Sequence, residues 1–276
     1  MHNVMFARPK LKEILKKGYM PVDMHTHSKY SDGLNKIDTI LKNASKKHFG
    51  IALTDHNEIR GSIEAYKSKK AFVIPAIEIN SFDGPHLLCY FYNIGELKEF
   101  YEKHIKNNKR KDPNSRINLR TAEIISRLER YNCLVSVAHP FGPFWTNLLK
   151  YLKKNNEGIN TLKKVHALEV VCGEQLRRSN LRAIKFNLII DKCFTGGSDA
   201  HIISEYGKVV TCSDSLNVED FLDSIKKKEN FVVGKGVGVV NRVISHSNVI
   251  KKHARTFNSW IRDSYNRVNL VPRPRS

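Results

Sequence analysis

Short apolar runs alternate with helix-spaced segments along this chain, and run after run meets a histidine or a carboxylate at its end. That alternation constrains the fold more than any other feature. Met20, Val22 and Met24 lead into His25-Thr26-His27, and a strand places side chains at i and i+2 on one face, so both imidazoles can reach one metal. Asp32 follows beside Gly33, after the strand should have ended, where it could serve a second metal. Ile37, Ile40, Leu41 and Ala44 then recur at helical spacing, and Gly50 precedes the run Ile51-Ala52-Leu53, which ends in Thr54-Asp55-His56. A strand is next expected over Phe72–Ile79, with Glu78 inside it, a carboxylate too costly to bury unless paired or bound to a metal. His86 opens Leu87-Leu88-Cys89-Tyr90-Phe91, and taken alone it reads more readily as a core histidine than as a ligand.

The second half repeats the pattern. Residues 96 to 131 are helical in spacing, interrupted at Lys109–Asn114, and Arg116 and Arg120 lie four apart on one expected helix face. As a guanidinium pair they could clamp a phosphate, although a solvated surface is the commoner role. Cys133–Ala138 ends in His139, and a helical segment with Trp145, Leu148, Leu149 and Leu152 leads to the strand Ala167–Val171. A helix over roughly Gln175 to Asn187 precedes Cys193–Gly197, and Asp199 and His201 close the series with the same i, i+2 spacing as the opening pair. Strands alternating with helices in this way predict an α/β fold with its chemistry at the strand C-terminal ends.

His25, His27, Asp32, His56, Glu78, His86, His139, Asp199 and His201 are therefore the candidate metal ligands. Imidazole with carboxylate suits zinc, manganese or iron, and so many donors suit two or three ions rather than one. Asp55 stands ready either to orient a ligand imidazole or to tie down its own loop, and His2, His48, His104, His166, His246 and His253 are read as structural or surface residues.

The 276 residues, 41% hydrophobic, suffice for one main domain with appendages. Five scattered cysteines, no apolar run near the roughly 18 residues of a membrane span and no signal-peptide core at the N-terminus point to a soluble, cytoplasmic protein without membrane contact. The formal charge of +20 favours anionic partners, either a phosphorylated small molecule or a short nucleic acid. Beyond Gly238, Val240, Val243, Ile244, Ile250, Phe257 and Ile261 fit a basic amphipathic helix followed by a mobile tail, a second segment over 241–276 after a main unit over 1–240. Oligomeric state is left open.

His25-Thr26-His27, Ser31-Asp32-Gly33, Thr54-Asp55-His56, Glu78, His86, Ala138-His139-Pro140 and Ser198-Asp199-Ala200-His201 resemble, in order, the motifs of the PHP family of polymerase-associated and histidinol phosphatase-like phosphoesterases. The likeness spans roughly residues 20 to 205, and aspartate as third ligand is similar to the branch with nucleotide phosphoesterases and a 5′ to 3′ exoribonuclease. Between His86 and His139 the chain is shorter than that branch. The resemblance implies a distorted TIM-like barrel of about seven strand–helix units, with an insertion over about 96–131. It also implies a trinuclear site: His25, His27, Glu78 and Asp199 on one metal, Glu78 bridging to a second held by His86 and His139, and Asp32, His56 and His201 on the third. A hydroxide bridging the first two metals would attack phosphorus, with Glu78, Asp199 and His201 at the catalytic heart. Two other readings stand beside this one: a small-molecule phosphatase of histidinol-phosphatase type, and a non-catalytic, metal-stabilised binding module.

Overall fold

A computed structural model describes residues 3–142 and 147–236 of the chain. Trp145, the helix and tail expected over 241–276 and the boundary at 240 lie outside the described residues. The chain opens with strand β1 (Val4–Met5) and helix α1 (Leu11–Lys16), then β2 (Met20–Thr26), α2 (Ile37–Lys47), β3 (Gly50–Leu53), α3 (Arg60–Ser68) and β4 (Val73–Ile74). It continues through β5 (Ala76–Asn80), β6 (His86–Phe91), α4 (Ile94–Phe100), α5 (Thr121–Leu128), β7 (Cys133–Val137), α6 (Leu148–Lys154) and α7 (Gly158–Lys164). The last elements are β8 (Ala167–Cys172), α8 (Arg177–Ile190), β9 (Cys193–Gly197), β10 (Val209–Ser213), α9 (Val218–Lys226) and β11 (Phe231–Gly234). Helix α2 buries Ile37, Ile40, Leu41 and Ala44, the residues whose spacing predicted it.

The architecture is mixed α/β, arranged as two sheets. One has six strands in the order β1-β11-β10-β2-β3-β4, and the other has five in the order β5-β6-β7-β8-β9. Strands β2, β3 and β4 are parallel, as are β7, β8 and β9, which is the expected strand–helix–strand pattern. The pattern does not extend to every strand. β6 runs antiparallel to β5, because only the short turn at Ser81–Pro85 separates them and no crossover helix fits there, and it runs antiparallel to β7 as well. β10 likewise runs antiparallel to β2 and β11.

Pro75 accounts for a second departure. The single strand expected over Phe72–Ile79 is two strands, since proline has no N–H for a ladder. β4 pairs with β3 in the first sheet and β5 with β6 in the second, so the chain crosses between sheets at Pro75. Side chains from both sheets meet in one apolar cluster, among them Val22, Met24, Ala52, Ile74, Leu88, Tyr90 and Leu134, which α9 covers with Phe221, Leu222 and Ile225. On the opposite face of β6, Leu87, Cys89 and Phe91 pack with Phe100, Ile124 and Leu128 of α4 and α5 in another cluster.

The sheets also meet where β9 runs against β10, with Gly196 N donating to Thr211 Oγ1 at 2.9 Å, and at two bridges. Parallel bridges join Thr26 to Ala200 and His56 to Glu78. Backbone bonds reinforce them, from His27 N to Ala200 O at 3.0 Å, Asp199 N to His25 O at 2.7 Å and Asn57 N to Glu78 O at 2.7 Å.

The insertion is less helical than its spacing suggested. α4 runs on into a π-helical turn over Tyr101–Ile105, and residues 106–120 are turns and bends before α5 begins. Polar side chains hold this stretch in place: Asn57 Nδ2 donates to the carbonyls of Pro113 (2.6 Å) and Ser115 (2.9 Å), and Asn80 Nδ2 to that of Asn114 (3.0 Å). Among the described residues no helix is long and apolar enough to cross a membrane.

Candidate metal centre

The nine predicted ligands converge where the two sheets meet. β2 delivers His25 and leads into His27, the loop after it brings Asp32, and His56 follows β3. Glu78 lies in β5, His86 begins β6, His139 follows β7, and Asp199 and His201 follow β9. Four overlapping groups have donor atoms within 4.8 Å of one another: His25, His27 and Asp199; His25, Glu78 and His139; His27, His56 and Glu78; His27, Asp32 and His201.

Glu78 is fully buried, and its two oxygens face different neighbours. Oε2 lies 3.2 Å from His25 Nε2, 3.3 Å from His27 Nε2 and 3.1 Å from His56 Nδ1. Oε1 lies 2.9 Å from His86 Nδ1 and 3.6 Å from His139 Nε2. Asp199 Oδ1 completes the His25–His27 side, at 3.3 Å and 3.0 Å from their Nε2 atoms. Asp32 Oδ2 stands 3.2 Å from His201 Nε2 and 3.5 Å from His56 Nε2.

These separations fit cation ligation. Donors held at about 2.0–2.2 Å from one ion stand roughly 3.0–3.5 Å from each other. The Nδ1 atoms of His27 and His139 are buried with no hydrogen-bond partner among the described residues, a costly state for imidazoles that serve packing alone. Borderline imidazole and hard carboxylate donors are mixed, as zinc, manganese or iron accept. His25, His27 and Glu78 are fully buried, whereas the side chains of Asp32, His86, Asp199 and His201 keep 12–19% exposure, so the open flank of the centre lies on their side.

Burial opposes charge on every group here, and the neighbours decide the outcome. Burial pushes Asp32, Glu78 and Asp199 up, but the surrounding imidazoles, His201 and His56 beside Asp32 and His56 and His25 beside Glu78, hold all three well below the ordinary carboxylate range. Burial pulls His25 down, and Asp199, Glu169 and Glu78 outweigh it, so it titrates well above the usual imidazole value. In the same balance Glu78 and Asp32 raise His56 to about 9, and Asp32 raises His201 to about 10. Burial wins at His27, which is lowered, and at His86, lowered to about 4 despite Glu78. Protons and divalent cations compete for these same lone pairs.

The loops are built to hold these side chains. His139 (φ 27°) and Asp199 (φ 54°) both sit in left-handed backbone, a conformation that non-glycine residues keep only when their surroundings impose it. Gly33 is dictated by contact, because a Cβ there would lie 2.2 Å from the His27 carbonyl oxygen. Asp55 ties down its loop, accepting from Ser28 N (2.7 Å), Ser28 Oγ (2.7 Å) and Ser31 Oγ (2.6 Å), the second of the two roles open to it. His48, His104 and His166 stand apart from the centre. His48 caps α2, His104 meets the Tyr131 hydroxyl at 3.2 Å, and His166 Nδ1 accepts from Val135 N at 3.0 Å. His2, His246 and His253 lie outside the described residues.

Arg116 and Arg120 do not share a helix face. Arg116 lies in the irregular stretch and donates to the Phe82 carbonyl at 2.9 Å, while Arg120 is the N-cap residue of α5. A helix is not available to them because Pro113 and the strapping bonds to Asn57 and Asn80 fix the backbone before α5 begins.

Two carboxylates buried within strands were not among the predicted site residues. Asp23, fully buried in β2, accepts from the backbone of Ser198 (2.8 Å) and Gly207 (2.7 Å), as well as from the Ser198 hydroxyl. Glu169 in β8 lies 2.9 Å from His25 Nδ1 and accepts from His139 N at 2.7 Å. The signal was present in both cases, a carboxylate inside an apolar run, as at Glu78.

Residues 23–163 match the PHP domain model and residues 177–230 the PHP-associated model. The uncharacterized protein MJ0417 of Methanocaldococcus jannaschii is 30% identical over 215 residues, 76% of this chain and 77% of that one. Among solved structures, the lesion-specific endonuclease EndoQ of Pyrococcus furiosus shares the fold with a TM-score of 0.63 and 21% identity, over 78% of this chain. This chain spans only 57% of that endonuclease. A Bifidobacterium adolescentis protein assigned as a metal-dependent phosphoesterase aligns with a TM-score of 0.53 at 17% identity, over 85% of this chain and 100% of its own. With the family model matched over residues 23–163 and the relative that it covers to 77%, the chain belongs to the PHP domain family.

Proposed function

We propose that the chain hydrolyses a phosphate ester of a nucleotide, or of the 5′ end of a short nucleic acid, at a centre of three divalent ions. The division of Glu78's oxygens carries the reading: one faces His25 and His27, the other His86 and His139. Glu78 would serve a first ion together with His25, His27 and Asp199, and a second together with His86 and His139. Asp32, His56 and His201 would hold the third on the more exposed flank.

Ions bound there supply Lewis acidity toward water and toward the phosphoryl oxygens. The chain's own residues fix where this happens. Glu78 and Asp199 set the spacing of the donors, and His201, partly exposed, stands where a phosphate ester approaches. Lys29, next to Ser28, and Arg60 both lie over the Tyr30 ring, at 5.1 Å and 4.9 Å. Lys29 puts positive charge in the loop that carries Asp32, where a polyanion gains most, whereas Arg60 opens α3 and is paired with Glu58 at 3.0 Å. The net charge of +20 and the likeness to a lesion-specific endonuclease favour a nucleotidic substrate over a small phosphomonoester. With the two sheets bridged at Thr26–Ala200 and His56–Glu78, we read the architecture as a distorted barrel, and residues 1–240 as its single catalytic unit.

The test is phosphate release by manganese-reconstituted protein against nucleoside bisphosphates, 5′-phosphorylated oligonucleotides and histidinol phosphate, with His25→Ala as control. Turnover of the nucleotidic members, lost in the variant, is expected. Turnover of histidinol phosphate alone would move the substrate to small-molecule metabolism. Silence across the panel by a metal-loaded chain would point to a binding module or to a substrate outside the panel.

A further inference from the structure

Glu169 belongs to none of the four donor groups, yet its carboxylate contacts two members of one of them, His25 and His139. The residue is 1% exposed. Oε1 lies 2.9 Å from His25 Nδ1, and Oε2 accepts the backbone N–H of His139 at 2.7 Å. On the three-ion reading of the centre, we infer that Glu169 is a positioning residue that holds the first and second ion sites in register through one acceptor-only carboxylate.

Both of its partners must be donors. An imidazole that offers its Nε2 lone pair to an ion carries its proton on Nδ1, and the group facing Nδ1 decides which nitrogen that is. The His139 N–H donates in any case, from a backbone already at φ 27°. A carboxylate accepts from both, whereas an amide of the same shape cannot. With its oxygen toward His139, a glutamine would turn an N–H toward His25 and pull the imidazole proton onto Nε2. That is the atom facing Glu78 Oε2 at 3.2 Å and Asp199 Oδ1 at 3.3 Å. Turned the other way, its amino group would meet the His139 N–H donor to donor, and the loop that carries the second site would lose its tie.

The test uses the full chain loaded with zinc, 15N-labelled at histidine. Two-bond proton–nitrogen spectra read the His25 tautomer, and competition with a chromogenic chelator reads stoichiometry and affinity. Glu169→Gln is expected to lose about 10- to 100-fold in zinc affinity, as outer-shell partners do, and to lose the Nδ1–H tautomer of His25. Glu169→Asp, shorter but still acceptor-only, keeps that tautomer and binds zinc more tightly than Glu169→Gln. Wild-type affinity and unchanged His25 nitrogen shifts in Glu169→Gln would overturn the inference, as would equal losses in the two variants, which would make side-chain length rather than acceptor character decisive. Failure of the wild-type chain to bind zinc would instead overturn the metal-centre reading, and this coupling with it.

Discussion

At the scale of single residues, protons and a bound cation would compete for the same donors. Near neutral pH His56 and His201, raised to about 9 and about 10, hold protons that an entering ion must displace, whereas His86, lowered to about 4, is already neutral. Metal affinity should therefore rise with pH through the neutral range, by about tenfold per unit for each proton displaced. Calorimetric titration with manganese in buffers of different ionisation enthalpy counts those protons, and a count of zero would contradict protonated His56 and His201 in the metal-free chain. Most of the nine candidate ligands were legible because they sit at or near the ends of apolar runs, Glu78 because it lies inside one, and His86 only through the family resemblance. Glu169 was harder to place. Glu78 and Glu169 look alike in sequence, and only the bridge between His56 and Glu78 puts one among the imidazoles while the other lies behind His25.

At the scale of elements, two close contacts can be tested. A Cβ at Gly197 would lie 2.4 Å from both the backbone nitrogen and the Cβ of His25, so Gly197→Ala must push β2 and β9 apart. It is expected to lower metal content and to destabilise by about 1–3 kcal/mol, the range for overpacked sites, as read by atomic emission and by urea denaturation. Asn57→Ala removes the bonds to Pro113 and Ser115, and limited tryptic cleavage at Lys109–Lys111 should accelerate several-fold while the ligand side chains stay in place. Helix α2 was legible from its spacing, because one buried face imposes one period. The insertion was not, since Asn57 and Asn80 recruit its carbonyls from outside and override the local helical preference. The direction of β6 was equally hidden, because the length of a turn becomes decisive only once the strand ends are known.

At the scale of the whole molecule, the +20 charge predicts that binding of a 5′-phosphorylated oligonucleotide weakens steeply with salt, the logarithm of the association constant falling linearly with that of salt concentration, while a mononucleotide shows a shallow slope. Equal slopes for the two would mean that the basic surface takes no part in capture. The α/β class was legible from alternation, but its division into two sheets was not, because Pro75 reads as one residue of a strand and acts as the passage between layers. That division changes what a bound cation means for the fold. His25, His27, Asp32 and His56 come from the first sheet and its loops, and Glu78, His86, His139, Asp199 and His201 from the second. Ions on the first and third donor sets would each rivet one sheet to the other, whereas an ion on the second set would touch only one. Chelation should therefore loosen the seam before either sheet melts, with amide exchange rising first around Thr26, Ala200 and Asn57, and a chain saturated at a thousandfold above its dissociation constant would regain about 4 kcal/mol. The metal would then be a clasp as well as a reagent, and a cell short of it would lose the fold's closure together with its chemistry.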